Sequence, residues 1–295
     1  MEISPAPVQQ IHEPLFEQKG VQVFIKREDL THPVVSGNKW RKLKYNLQAA
    51  KEQQHDTLLT FGGAYSNHIH AVAGAGKAFG FKTIGIIRGE ETLPLNHTLT
   101  YAKSCGMELR YMDRATYRLK NSLEVKHNLL SAFGKFYLIP EGGTNALAIK
   151  GCEEIVEDLS ETYDYYTLGV GTGGTISGLI ASLKGLNQVI GFSSLKGDFL
   201  TQEVENLLVD YNGREYKNWQ INNDFHFGGY AKIKPEFLSF IKSFEDQHGI
   251  LLDPVYTGKS LYGLYQLINK DYFGRGTRIL FIHTGGLQGR SGFGI

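Results

Sequence analysis

The chain has 295 residues, 41% of them apolar, enough for a sizeable core in two domains or one large α/β domain. Its 31 basic and 30 acidic residues nearly cancel, which argues against a nucleic-acid binder with its basic stripe. Two cysteines, Cys105 and Cys152, form no paired motif and suggest a reducing compartment. The first residues, Met1-Glu2-Ile3-Ser4-Pro5-Ala6-Pro7, lack the basic and apolar regions of a signal peptide, and no apolar run approaches ~18 residues. The expectation is a cytoplasmic protein with no membrane span.

In chain order, Val21-Gln22-Val23-Phe24-Ile25 reads as a strand, followed by Lys26-Arg27-Glu28-Asp29-Leu30. Ser36-Gly37-Asn38-Lys39-Trp40-Arg41-Lys42 then opens a helix-like run from Lys42 to Lys51. A lysine on a turn at a helix start sits where backbone N–H groups and the helix dipole favour anions. That field and burial lower its pKa toward the range of a nucleophile or base, which makes Lys39 a candidate. Alternatively, Lys39 with Arg41, Lys42 and Lys44 forms a solvated basic face.

Further strand-like runs are Thr57–Phe61, Lys82–Arg88, Glu108–Met112, Phe136–Ile139, Tyr165–Val170, Gln188–Ser193 and Arg278–His283. Helix-like segments lie between them, among them His70–Phe79, Ala146–Leu159 and Ile176–Leu186. This alternation predicts parallel sheets flanked by helices, with ligands beyond the carboxyl ends of the strands. Several of the runs end in Gly-rich loops.

Phe61 leads into Gly62-Gly63-Ala64-Tyr65-Ser66-Asn67-His68. Ser66 and Asn67 suit a helix cap, and the same hydroxyl and N–H groups suit a substrate carboxylate. His68 and His70 are two apart, not the spacing of a helical metal pair, so no metal site is expected. Ile139 leads into Pro140-Glu141-Gly142-Gly143-Thr144-Asn145.

Val170 leads into Gly171-Thr172-Gly173-Gly174-Thr175, a strand-to-helix loop suited to a phosphate monoester. Gly169, Gly171 and Gly174 match the spacing of a dinucleotide fingerprint. The acidic residue expected about 20 positions on is missing, however, and Ser193-Ser194-Leu195-Lys196 stands there. Asp253-Pro254-Val255-Tyr256-Thr257-Gly258-Lys259-Ser260 precedes a helix-like run, and Thr284 follows the last strand as a ligand-facing residue or a helix cap.

Taken in order from about residue 20 to the C-terminus, these motifs resemble the family of 1-aminocyclopropane-1-carboxylate deaminases and D-cysteine desulfhydrases. The resemblance implies a tryptophan-synthase-β-like fold and a pyridoxal 5′-phosphate cofactor. It implies that Lys39 is the lysine carrying the cofactor and that Lys42 lies near its phosphate. Gly171, Thr172, Gly173, Gly174 and Thr175 would form the phosphate cup, and Asn67 would lie beside the cofactor's O3′. Ser66 and Asn67, with His68, would take the substrate carboxylate. Tyr230, in Phe227-Gly228-Gly229-Tyr230, and Tyr256 would approach the substrate.

One departure points within the family. Ring-opening deaminases carry a glutamate directly after the tyrosine matching Tyr256, where this chain has Thr257, and an apolar residue where it has Thr284. A hydroxyl does not hold a pyridine nitrogen protonated as a carboxylate does, which leaves a weaker electron sink. The expected reaction is therefore α,β-elimination from a small amino acid, D-cysteine first. Ring opening of the cyclopropane amino acid is the alternative, and a nucleotide-binding Rossmann protein the second alternative. The expected domains are a large cofactor-binding domain, residues 1–41 and 150–295, and a small one, residues 42–149. A homodimer acting on a small amino-acid substrate, with no nucleic-acid or membrane partner, completes the reading.

Overall fold

The computed structural model describes residues 3–294. Its strands are β1 (Val8–Ile11), β2 (Gln22–Lys26), β3 (Thr57–Gly62), β4 (Lys82–Arg88), β5 (Glu108–Met112), β6 (Tyr137–Ile139), β7 (Tyr165–Val170), β8 (Gln188–Ser193), β9 (Trp219–Asn222) and β10 (Arg278–Ile282). Its helices are α1 (Pro14–Lys19), α2 (Asn38–Glu52), α3 (Asn67–Phe79), α4 (His97–Ser104), α5 (Arg114–Arg118), α6 (Leu123–Phe133), α7 (Ala146–Glu157), α8 (Gly174–Leu183), α9 (Phe199–Asn212), α10 (Pro235–His248) and α11 (Thr257–Asn269).

Two sheets form. One runs in the order β1-β2-β10-β7-β8-β9 and is parallel apart from the β1–β2 pair; the other runs β5-β4-β3-β6 and is parallel throughout. Alternate residues of each central strand feed opposite faces. Ile279 and Phe281 of β10 join a core with α1, α10 and α11, while Leu280 and Ile282 join one with α7, α8 and α9. In the smaller sheet Leu58 packs toward α2, α3 and α4, and Leu59 and Phe61 toward α5 and α6. Both sheets are thus covered on both faces, as near-continuous apolar strands require.

This topology sets the site. The smaller sheet changes direction at β3, whose successors β4 and β6 lie on opposite sides of it, and the larger one changes direction at β7, between β10 and β8. Loops at such switch points open into a crevice. They are the Gly62–Ser66 loop after β3 and the Gly171–Gly173 loop after β7. Among the described residues no helix is long and apolar enough to cross a membrane.

Candidate active site

Lys39 is the second residue of α2, and a tight junction places it. Gly37, with φ 64, precedes the helix, and a Cβ there would run into the carbonyl oxygen of Thr284. Asn38 N–H donates to that carbonyl at 3.2 Å, and Gly37 N–H to Glu28 O at 2.8 Å. The loop after β10 is therefore bonded directly to the turn that carries Lys39. Arg41 fixes the helix from its other side through two bonds to buried Glu28, at 3.0 and 3.1 Å, and further bonds to Glu154 and Asp158. Arg41 and Lys42 are buried and Lys44 is paired with Glu154 at 2.6 Å, so these cations do not form a solvated face.

Lys39 is half-buried, and its amine donates to Asn38 Oδ1 at 3.1 Å. Loss of hydration, and secondarily the Lys42 cation one turn on, lowers its pKa to about 7. A large fraction of the amine is then neutral and nucleophilic near neutral pH.

Lys42 is driven to about 8 by burial. Its amine reaches Gly142 O at 3.1 Å, Thr144 Oγ1 at 3.1 Å and Thr172 Oγ1 at 3.3 Å. Thr144 and Thr172 meet at 2.6 Å, and Asn38 Nδ2 donates to Thr175 Oγ1 at 2.9 Å. The loop of β7 thus closes over Lys42 and the start of α2. No side chain caps α8, whose N-cap Gly173 is left-handed at φ 78. A Cβ on the next residue, Gly174, would stand 2.9 Å from Thr144 Oγ1 and 3.2 Å from the Lys42 amine. Glycines keep this cradle open. Uncapped N–H groups, three threonine hydroxyls and a buried ammonium converge on it, as an anion requires.

Across the crevice, Ser66 caps α3, accepting from His68 N–H at 3.2 Å and Ile69 N–H at 3.3 Å. Its hydroxyl proton remains available to a carboxylate. Asn67 opens the helix and lies against the C-terminal turn, where a Cβ on Gly286 would be 2.5 Å from its Nδ2. The His68 ring does not join them. It is buried, and its Nε2 meets Thr60 Oγ1 at 2.8 Å. Thr60 donates to Ile139 O at 2.8 Å, so Nε2 carries the proton and Nδ1 is a bare, buried acceptor. Burial, then the charges of Lys39 and Lys42, hold this imidazole neutral, well below its ordinary pKa.

Tyr256 precedes α11, and a Cβ on Gly171 would lie 2.9 Å from its ring, so the tyrosine lines the loop after β7. Tyr230 meets it edge-on, with centroids 6.0 Å apart. Burial raises both phenols above their usual pKa, Tyr256 well above, so both are neutral donors. Thr257 is occupied by Asp253: its hydroxyl donates to Asp253 Oδ1 at 2.8 Å and accepts from Asp253 N–H at 2.8 Å. Thr284 caps no helix, since the following 3-10 turn, Leu287–Phe293, starts after Gly286. Asp253 was not singled out from sequence. Its buried carboxylate also accepts the N–H groups of Val255, Tyr256 and Thr257. The Asp-Pro turn signal was there to be read. Thr144, which shares the Lys42 amine with Thr172, was likewise missed.

The residues fit a planar, phosphate-bearing aldehyde: an anion cradle, a lysine with a depressed pKa, and hydroxyl and amide groups from the opposing sheet.

Comparison with known proteins agrees. The profile described as "Pyridoxal-phosphate dependent enzyme" matches residues 1–285. The bifunctional D-cysteine desulfhydrase/1-aminocyclopropane-1-carboxylate deaminase, mitochondrial, of Arabidopsis thaliana is 34% identical over 92% of this chain and 73% of its own length. A D-cysteine desulfhydrase of Klebsiella pneumoniae is 28% identical over 96% and 92%. The crystal structure of an ACC deaminase homologue superposes with a TM-score of 0.85 at 32% identity, covering 99% of this chain and 92% of that one. The chain belongs to the pyridoxal-phosphate-dependent enzymes, in the deaminase and desulfhydrase group typified by these relatives, and the nucleotide-binding alternative falls away.

Proposed function

We propose that this enzyme carries out α,β-elimination on D-cysteine, which with water gives pyruvate, ammonia and hydrogen sulfide. The observation that carries the choice is Thr257. It stands after Tyr256 where a carboxylate would favour a protonated pyridine nitrogen, and its hydroxyl is held by Asp253. When bound, pyridoxal phosphate supplies an electron sink for the charge left at the substrate's Cα.

In this reading Lys39 would carry the cofactor until the substrate's amine displaces it, and the freed Lys39 amine would take the Cα proton, for which a pKa near 7 suits it. Gly171 to Thr175 and Lys42 hold the phosphate. Asn67 would stand beside the ring's O3′, and Ser66 with Asn67 would receive the substrate carboxylate. Tyr256 and Tyr230 stay protonated and can donate to the departing sulfur. A thiolate leaves readily from Cβ, whereas an unactivated ring carbon does not. The proposal includes residues 42–149 as the small domain, with residues 1–41 and 150–295 as the large one, and a cytoplasmic homodimer.

The relative that bears both activities in its name keeps ring opening as a second reading. A panel of D- and L-cysteine, D- and L-serine and the cyclopropane amino acid separates the two, scored as sulfide, pyruvate and 2-oxobutanoate. Sulfide from D-cysteine should far outpace 2-oxobutanoate from the cyclopropane substrate. Efficient ring opening by the wild-type protein would overturn the choice.

A further inference from the structure

Lys259 lies in the first turn of α11, three residues after Tyr256, and is 1% exposed. Its amine donates to His226 O at 2.9 Å and Gly229 O at 2.7 Å. No carboxylate lies within ion-pair distance of it among the described residues. Those two carbonyls bracket a loop of unusual backbone. Phe227, Gly228, Gly229 and Ala231 all have positive φ, at 55, 98, 126 and 50°. Residues with side chains seldom adopt that region, and they persist there only when the surroundings over-determine it. The Phe227 ring is stacked on Phe237 at 4.5 Å. The next residue after Gly229 is Tyr230, whose ring meets Tyr256.

We propose that Lys259 is a positioning residue: its buried amine fixes the loop from His226 to Ala231 and thereby sets Tyr230 against Tyr256 at the substrate cleft. The start of α11 then places both phenols, Tyr256 through the Asp253 turn and Tyr230 through Lys259. An aliphatic side chain would fill this buried position without desolvating a charge, which lowers the amine's pKa to about 8. The retained amine is accounted for by the two carbonyls it holds. The functional consequence rests on the proposed approach of the two tyrosines to substrate; the hold on the loop does not.

The test is a double-mutant cycle on the holoenzyme with Lys259→Met and Tyr230→Phe. It is read by amide hydrogen exchange across residues 223–232 and by turnover of the best substrate of the panel above. Lys259→Met should keep the visible absorption of the bound cofactor and speed exchange in that segment about tenfold or more. It should also lower kcat/KM about tenfold or more, because a misplaced donor costs rate steeply. In the Tyr230→Phe background that further loss should vanish, and Lys259→Arg should recover part of the protection. Unchanged exchange overturns the proposal, and so do additive losses of kcat/KM. If no amino acid of the panel is turned over, the functional reading fails while the exchange measurement still decides the loop. If Lys259→Met does not fold, Lys259→Arg carries the same cycle. It keeps the charge, and its longer planar head should lower kcat/KM only while Tyr230 is present.

Discussion

Replacing Lys42 by methionine should move stability and cofactor affinity in opposite directions. In the cofactor-free protein the ammonium is buried among two threonine hydroxyls and one carbonyl, with no carboxylate partner among the described residues. A fall in pKa from 10.5 to about 8 corresponds to a penalty of ~3 kcal/mol on the charged form. Because the folded value lies below the unfolded one, this penalty is fully present below pH about 8. It fades as pH rises toward 10.5.

Methionine replaces the aliphatic stem as far as Cε and omits the charge. Thr144 and Thr172 keep each other at 2.6 Å. Gly142 is only half-buried, so water can take up its carbonyl. The lost bonds therefore cost less than the removed charge, and the apo variant should be more stable than wild type at pH 7 by about 1–2 kcal/mol. A charge-assisted bond to phosphate is worth about 1.5–3 kcal/mol, so the Kd for pyridoxal phosphate should rise about 10- to 150-fold. Denaturant melts of apo protein at pH 7 and pH 10, with absorbance titration of the cofactor, measure both. An apo variant less stable than wild type at pH 7, or an unchanged Kd, would refute the reasoning.

Three further outcomes test the site. Borohydride should fix the cofactor on the peptide containing Lys39, and Lys39→Ala should lower turnover by roughly 10²–10⁴-fold, as loss of a positioned base does; label on another lysine removes the assignment. Gly173→Val, at φ 78 and with a Cβ that would stand 2.9 Å from Leu207 Cδ1, should weaken cofactor binding about 5- to 150-fold by titration, as a strained backbone of ~1–3 kcal/mol implies. Ser66→Ala should lose about 1 kcal/mol as a helix cap and also raise KM without changing the cofactor spectrum; a stability loss with KM unmoved would leave Ser66 as a cap alone.

The central parallel strands were legible because both of their faces are buried and their sequences are continuously apolar. The two edge strands of the larger sheet were not. β1, Val8-Gln9-Gln10-Ile11, buries only its last residue, and β9 is half-exposed, so neither carries an apolar run. Helix starts fell early: α3 begins at Asn67 and α8 at Gly174 because polar or glycine first turns carry no apolar period. The Gly-rich loops showed in the sequence as ligand-bearing loops, but not their meeting. The bond from Asn38 to Thr284 joins residues from the two ends of the chain, and only the sheet order brings them together. Asp253 escaped notice because its work is done through neighbouring backbone, which leaves no mark beyond a turn signal.

The two threonines that mark the departure from ring-opening deaminases, Thr257 and Thr284, are unequal in this structure, and that inequality can be measured. Thr257 is fully buried, and its hydroxyl exchanges two bonds with Asp253. Thr257→Val would leave the Asp253 N–H without that acceptor and remove one of the carboxylate's donors, a cost of about 2–3 kcal/mol. Thr284 contributes its carbonyl to Asn38 N–H, and its hydroxyl has no hydrogen bond to protein among the described residues. Thr284→Val should therefore change stability by less than ~0.5 kcal/mol, because no protein partner is left unpaired. If Thr284 supplies the hydroxyl that meets the pyridine nitrogen, its valine variant should shift the bound cofactor's absorption and slow sulfide release. Thr257→Val should lower the melting temperature with the spectrum in place. A spectrum that moves with Thr257→Val alone would return the cofactor contact to Thr257. The rate argument for elimination would survive that result, since the position after Tyr256, a glutamate in ring-opening deaminases, holds a hydroxyl here in place of a carboxylate that would keep the proton.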